Sequence, residues 1–203
     1  MKRILLISLS FIIYTLSFNT AHAESAKSIL DKAAATVSNP SGVQAQFQMI
    51  SKQFGSTSGT ISIKGRKFHA STPQAIVWFD GKTQWTYMKQ NDEVNVSTPS
   101  EAELQAINPY NFINIYKKGY KLSSKKVGSS YEIHLKSTDK KRKLQEMYII
   151  VDQNSYHPTH VKMMQNSKWS VVLINGLKST VLSDDMFQFN AKDFPKAEVI
   201  DLR

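Results

Sequence analysis

The stretch Ile76-Val-Trp-Phe-Asp-Gly-Lys-Thr-Gln-Trp-Thr-Tyr87 sets two aromatic, β-branched runs on either side of Asp80-Gly81. Such runs joined by Asp-Gly predict a tight hairpin, with a type I′ turn at two residues that tolerate positive φ. On the return strand Thr83, Trp85 and Tyr87 alternate with Lys82, Gln84 and Thr86, so rings line one face and polar groups the other. The ring-bearing face is expected to turn toward an apolar interior. An ordinary sheet core is the commonest interior of that kind, and the rest of the chain has to show whether it encloses anything else.

The same period of two recurs along the chain. Val43, Ala45, Phe47 and Met49 alternate with Gln44, Gln46 and Gln48, and Ile61 and Ile63 alternate with Thr60, Ser62 and Lys64 until Gly65 breaks the phase, as at a bulge or bend. Tyr131, Ile133 and Leu135 repeat the pattern, followed by Met147, Ile149 and Val151, then Val161 and Met163, then Trp169, Val171 and Leu173. Gly55, Asn91-Asp92, Gly128 to Ser130, Asp152 to Asn154 and Gln165 to Ser167 punctuate these runs as turns. A mainly β, antiparallel meander of about ten strands follows, enough that the sheet must curl strongly or close.

Three segments read as helices. Ser25 to Ser38 carries Ile29, Leu30, Ala33, Ala34 and Val37 on one stripe and stops at Asn39-Pro40. Thr98-Pro99-Ser100-Glu101 has the form of a capping box with Pro at the first helical position, and sends Leu104 and Ile107 inward. A third helix starts at Asn108-Pro109 and offers Phe112, Ile113 and Tyr116. Two short apolar helices inserted between strands can plug a curved sheet, either as a fixed cap or as a lid.

Residues 1–23 have the layout of a cleaved secretory signal: Lys2 and Arg3, an apolar stretch from Ile4 to Phe18, then Ala21-His22-Ala23. Ser8, Ser10, Thr15 and Ser17 dilute the stretch below what a membrane span needs. Cleavage before Glu24 leaves a single domain over residues 24–203 and lowers the formal charge from +10 to +8. The chain has no cysteine, which removes disulfides, thiolate metal sites, a cysteine nucleophile and a lipid-attachment cysteine. These features fit a soluble, exported periplasmic protein. Export leaves little nucleic acid to meet, so membrane headgroups or acidic proteins are the anionic partners to consider for the local cluster Lys140-Lys141-Arg142-Lys143. Hydrated charges on a hairpin tip are the plainer alternative.

Signs of catalysis are sparse. His157 and His160 are spaced to point to opposite faces of a strand and have no carboxylate pattern of a zinc site around them. There is no Gly-x-Ser-x-Gly elbow and no phosphate-cradling glycine loop. Glu101 and Glu103 suit the first turn of a helix, and Asp184-Asp185 a turn before a last hairpin strand. No enzyme activity, cofactor or metal is expected.

The order of these elements resembles the periplasmic outer-membrane lipoprotein carriers, the LolA-like family. The resemblance rests on the leader, the N-terminal amphipathic helix, and the aromatic strands around Asp80-Gly81-Lys82-Thr83 with Trp85 and Tyr87. It continues through Asn108-Pro109-Tyr110 to an ending of Phe187-Gln188-Phe189, Phe194-Pro195 and Val199-Ile200, similar to that family's C-terminal strand pair. It implies an incomplete, unclosed antiparallel β-barrel with a helical lid over an apolar cavity for acyl chains. It also implies a monomer that receives acylated lipoproteins from an inner-membrane ABC transporter and passes them to an outer-membrane acceptor protein or membrane. Related envelope sensors share the open barrel but usually add a C-terminal domain, which is not expected after Arg203. A structural β-domain with an ordinary core is the other alternative.

On this reading the sheet residues expected in the cavity are Phe47 and Met49, Ile61 and Ile63, Trp78, Trp85 and Tyr87, Met147 and Ile149, Val161 and Met163, and Trp169 and Val171. Leu104, Ile107, Phe112, Ile113 and Tyr116 form the expected lid. The family places an arginine that latches the lid just after the strand matching Gly59 to Lys64. Gly65 stands at that position here with Arg66 beside it, which makes Arg66 the latch candidate. A lid that trades its own apolar contacts for those of a lipid predicts that Phe112→Asp or Ile113→Asp impairs lipid loading more than folding. Parallel acyl-probe binding and urea titrations check this, and equal losses of both would contradict a mobile lid.

Overall fold

A computed structural model of the chain describes residues 24–51, 55–100, 104 and 115–203. The expected leader and the lid positions Ile107, Phe112 and Ile113 lie outside the described residues.

Helix α1 (Ala26–Val37) begins at Ser25, whose hydroxyl accepts from the Ser28 N–H, and it buries Ile29, Leu30, Ala33 and Val37. Twelve strands follow: β1 (Val43–Ser51), β2 (Gly55–Lys64), β3 (Lys67–Ser71), β4 (Ala75–Phe79), β5 (Gln84–Met88), β6 (Glu93–Ser97), β7 (Tyr120–Val127), β8 (Ser130–Ser137), β9 (Leu144–Asp152), β10 (Pro158–Gln165), β11 (Lys168–Ser179) and β12 (Glu198–Asp201). They form one sheet in the order β12-β6-β5-β4-β3-β2-β1-β11-β10-β9-β8-β7. Among the described residues two strands more than the expected ten are present, and the fold is mainly β with a sheet not closed into a barrel.

Pairing is antiparallel between chain neighbours, with two consequential exceptions. β11 pairs with β1 across the middle of the sheet, which joins two meanders into one surface. β12 runs parallel to β6, where an all-antiparallel sheet was expected. The difference lies in how the chain arrives: after β11 in the sheet centre it crosses one face and reaches the far edge travelling in the same direction as β6. The segment Phe187-Gln188-Phe189 is correspondingly not a strand. Its first residue ends a 3-10 turn, Asp184–Phe187, and only residues 198–201 join the sheet.

Individual turns refine the expected punctuation. The hairpin at Asp80-Gly81 forms, with Phe79 opposite Gln84. Its turn is not type I′, because Gly81 takes φ +103° while Asp80 and Lys82 do not take positive φ, the φ pattern of a II′ turn. Asp80 instead accepts from the Lys82 and Thr83 N–H groups through Oδ1, at 2.8 and 2.7 Å. Gly65, expected at a bulge or bend, sits with Arg66 in the tight turn between β2 and β3. A bulge does occur on β11, where register shifts opposite Gln44 and Gln46 beside Gly176 at φ +61°.

One core cluster gathers α1 with Val43, Ile63, Phe68 and Phe79 from one half of the sheet and Ile133, Met147, Ile149, Val161 and Val172 from the other. Laid flat, the strands from β4 to β8 would span roughly 34 Å at the usual inter-strand spacing, about three times the width of a helix. A single packed cluster can therefore draw on both halves only because the sheet curls. Gly59 permits part of that curl. A Cβ there would lie 2.0 Å from the Ser71 carbonyl oxygen and 3.2 Å from the Phe47 ring. Gly59→Ala is thus expected to destabilise the fold by about 3 kcal/mol; a loss below about 0.5 kcal/mol in urea denaturation would show that β2 and β3 part without cost.

Candidate functional site

Strand register assigns every side chain in the sheet to the helix-covered face or the opposite one. On the helix-covered face Ala45 pairs with Ile61, Ile61 with Ala70, and Ala70 with Val77, while Val43 leads through Ile63 and Phe68 to Phe79. In the other half Met49 pairs with Val172, Val172 with Val161, Val161 with Ile149, and Ile149 with Ile133. Eight of the expected cavity residues therefore share this face: Phe47, Met49, Ile61, Ile63, Met147, Ile149, Val161 and Met163.

The other five belong to the opposite face. Trp78 pairs with Trp85, Tyr87 with Ile76, and Val171 with Ile50, each out of phase with Phe79, Val77 and Met49. Trp169 pairs with Met164 and is likewise on this side. The physical reason is that β4, Ala-Ile-Val-Trp-Phe, is apolar at consecutive positions. Such a strand is buried on both faces, so ring size does not reveal which face meets the helix. The aromatic face is covered by the chain's own C-terminal segment. Phe189 and Phe194 each place their rings 5.5 Å from Trp78, and Phe194 lies 4.6 Å from Tyr87. Asp184 ties that segment down through Lys64 and Lys67, each at 3.0 Å. The signal for this second core was present in Phe187, Phe189 and Phe194, three rings near the chain end that need a partner.

The helix-covered face is not uniformly sealed. Val43, Ala45, Phe68, Phe79, Val161 and Val172 are buried. Farther along the same strands Phe47, Met49, Ala70, Val77, Met163 and Ile174 are only half-buried while packed against the core. These six form an apolar strip beyond the helix, and Ala70, Val77 and Ile174 were not expected in it from sequence. At the β5–β6 end the same face turns polar with Gln84, Thr86, Asn95 and Ser97. There the Gln84 amide donates to Thr86 at 3.2 Å, and its buried Oε1 has no hydrogen-bond partner.

The chain between β6 and β7, here the crossing segment, links strands near opposite ends of the sheet. Among its described residues Leu104 and Tyr116 are buried in the core cluster and Ile115 packs against it. The Leu104 N–H donates to the Ser100 carbonyl at 2.9 Å, a helical bond. Tyr116 donates to Asp31 of α1 at 2.5 Å. Burial, aided by Asp31, pushes the Tyr116 phenol well above its usual value. The Asp31 carboxyl is held below its usual value, first by Lys27 and then by Tyr116. Arg66 is exposed at the β2–β3 turn.

Among the described residues no group of three or more His, Cys, Asp or Glu is placed to hold a metal. A shallow pocket of about 270 Å³ lies on the opposite face, lined by Glu132, Tyr148, Ile150, His160, Lys162 and Val171. The Lys162 ammonium lies 4.4 Å over the Trp169 ring, and His134 stacks on Tyr148 at 4.5 Å. The pocket mixes cations, a carboxylate and rings, and is separated from the apolar strip by the thickness of the sheet.

The family model described as outer membrane lipoprotein carrier protein LolA matches residues 16–167, three-quarters of the chain. The chain belongs to this family. Its members are carriers by that description rather than enzymes. An uncharacterised conserved protein from Thermus thermophilus shares the fold, with a TM-score of 0.60 at 13% identity over 88% of this chain and 99% of the other. A LolA superfamily protein from Nitrosomonas europaea gives a TM-score of 0.45 at 13% identity over 82% and 99% of the two chains. LprF from Mycobacterium bovis gives 0.44 at 7% identity over 78% and 96%. No curated protein matches the chain.

The Tyr116–Asp31 bond ties the crossing segment to α1. A carboxylate with a depressed pKa contributes stability that is present above its unfolded value, roughly 3.9, and is lost as pH falls through the lower folded value. Tyr116→Phe is expected to cost about 1 kcal/mol at neutral pH and to shrink the loss of stability below pH of about 4. Urea titrations at both pH values check this; an unchanged acid limb would detach Asp31 from the crossing segment.

Proposed function

We propose that the protein is a periplasmic carrier that holds the acyl chains of lipoproteins against the helix-covered face and takes them toward the outer membrane. The observation that supports this most is the half-buried strip of Phe47, Met49, Ala70, Val77, Met163 and Ile174. The core leaves it incompletely covered. Each acyl CH₂ buried there gains roughly 0.8 kcal/mol, so affinity needs no charged or catalytic group. Methionine at two of the six positions suits chains of varied shape. Inner-membrane release machinery and an outer-membrane acceptor would then be its partners, with Arg66 a candidate for holding the empty state closed.

Native mass spectrometry with a triacylated lipoprotein and its unacylated form tests the reading, the expectation being a one-to-one complex with the acylated form alone. Phe47→Gln combined with Met49→Gln is expected to weaken a fluorescent acyl probe by about tenfold or more, from the apolar area lost, while Trp85→Ala on the opposite face leaves probe affinity unchanged. Equal effects of the two variants would place the ligand elsewhere.

A further inference from the structure

The fold concentrates unneutralised positive charge at one corner of the sheet. Elsewhere Lys27 pairs with Asp31, Lys32 with Glu24, Lys64 and Lys67 with Asp184, and Lys125 with Glu132, and the remaining lysines are dispersed along the chain rather than gathered. At the β7–β8 corner, Lys117, Lys118 and Lys121 adjoin the loop that carries Lys140, Lys141 and Lys143. All six are exposed, and no ion pair between any of them and a carboxylate is present among the described residues.

Backbone geometry holds this corner together. The Thr138 N–H donates to the Gly119 carbonyl at 3.0 Å, and Lys121 sits directly across from Lys136. The Arg142 guanidinium lies 5.3 Å from the Tyr120 ring centre and occupies the space that a Cβ on Gly119 would need. Asp139, the acid in the loop, spends Oδ1 on the Lys141 N–H at 2.8 Å. Lys136 is in turn opposite Glu146 on β9, while Lys121 and the other five lysines of the corner have no carboxylate across from them on a paired strand.

We propose that this corner docks the protein on an anionic phospholipid bilayer. The cations are long, exposed and spread over two backbone segments, and outnumber the loop's one acid, Asp139. That arrangement suits mobile lipid headgroups better than one fixed protein surface. The corner follows immediately after Tyr116, which packs in the core cluster. The inference deepens the carrier reading, but its test contains no cargo, so docking and carriage fail separately.

Sedimentation of the mature protein with phosphatidylcholine vesicles, with and without roughly one-third phosphatidylglycerol, provides the test. Each basic group near an anionic surface contributes about fivefold. Combining K117Q, K118Q, K140Q and K143Q is therefore expected to weaken binding by about 600-fold. Raising salt to about 0.5 M should release the unaltered protein. The set K168Q, K178Q, K192Q and K196Q removes the same charge from other exposed sites and is expected to retain most binding. Circular dichroism of both variants establishes that they fold. Equal losses in the two sets, equal binding to pure phosphatidylcholine, or no binding by the unaltered protein would each overturn the proposal; the last would favour an acidic protein as the corner's partner.

Discussion

A sheet that is apolar on both faces has to be covered twice, and most of this architecture follows from that requirement. In β4, Ile76 and Trp78 point one way and Val77 and Phe79 the other, so neither side can be left to water. Helix α1 covers one side over part of its length, while Phe187, Phe189 and Phe194 come back from the end of the chain to cover the other. The pairing of β11 with β1 makes that return possible, because it leaves the chain in the sheet centre with a whole face still to cross. The C-terminal segment seals Trp78, Val94 and Val96 on its side, whereas the cover on the α1 side leaves Phe47, Met49, Ala70, Val77, Met163 and Ile174 half-buried, and the candidate site is this shortfall.

Period-two alternation made the strands legible wherever apolar residues recur, as in Val43 to Met49 or Tyr131 to Leu135, and the antiparallel meander follows from the short turns between them. The β7 strand was harder to read, since Tyr-Lys-Leu-Ser-Ser-Lys-Lys-Val carries the lysines of an edge strand and little apolar signal. Parity within each strand was also legible. Which parity meets the helix was not, because that depends on the long-range pairing of β11 with β1 and on what covers each face. Eight residues were therefore placed with the helix and Trp78, Trp85, Tyr87, Trp169 and Val171 were not. Ala70 and Val77 were passed over because large rings next to them draw attention in any ranking by size.

Electrostatics and packing divide the labour in this fold. On the proposed function, the apolar strip would supply non-directional affinity that scales with the length of chain buried. Charged groups act at its borders: Asp31 holds Tyr116 at one root of the crossing segment, and Asp184 straps the C-terminal segment to the β2–β3 hairpin. A carrier must release what it binds, so interactions that hold the empty state together have to compete with those to the ligand. Tyr116 is placed for such competition, being fixed both by the core and by one hydrogen bond to the helix.

The central claim is that acyl chains lie on the helix-covered face. Methionine methyl NMR with a spin-labelled fatty acyl ligand tests it most directly, since Met49 and Met163 face the strip while Met164 faces away. The account predicts broadening of the Met49 and Met163 signals with Met164 left sharp. Selective broadening of Met164 would put the ligand on the other side of the sheet and contradict it.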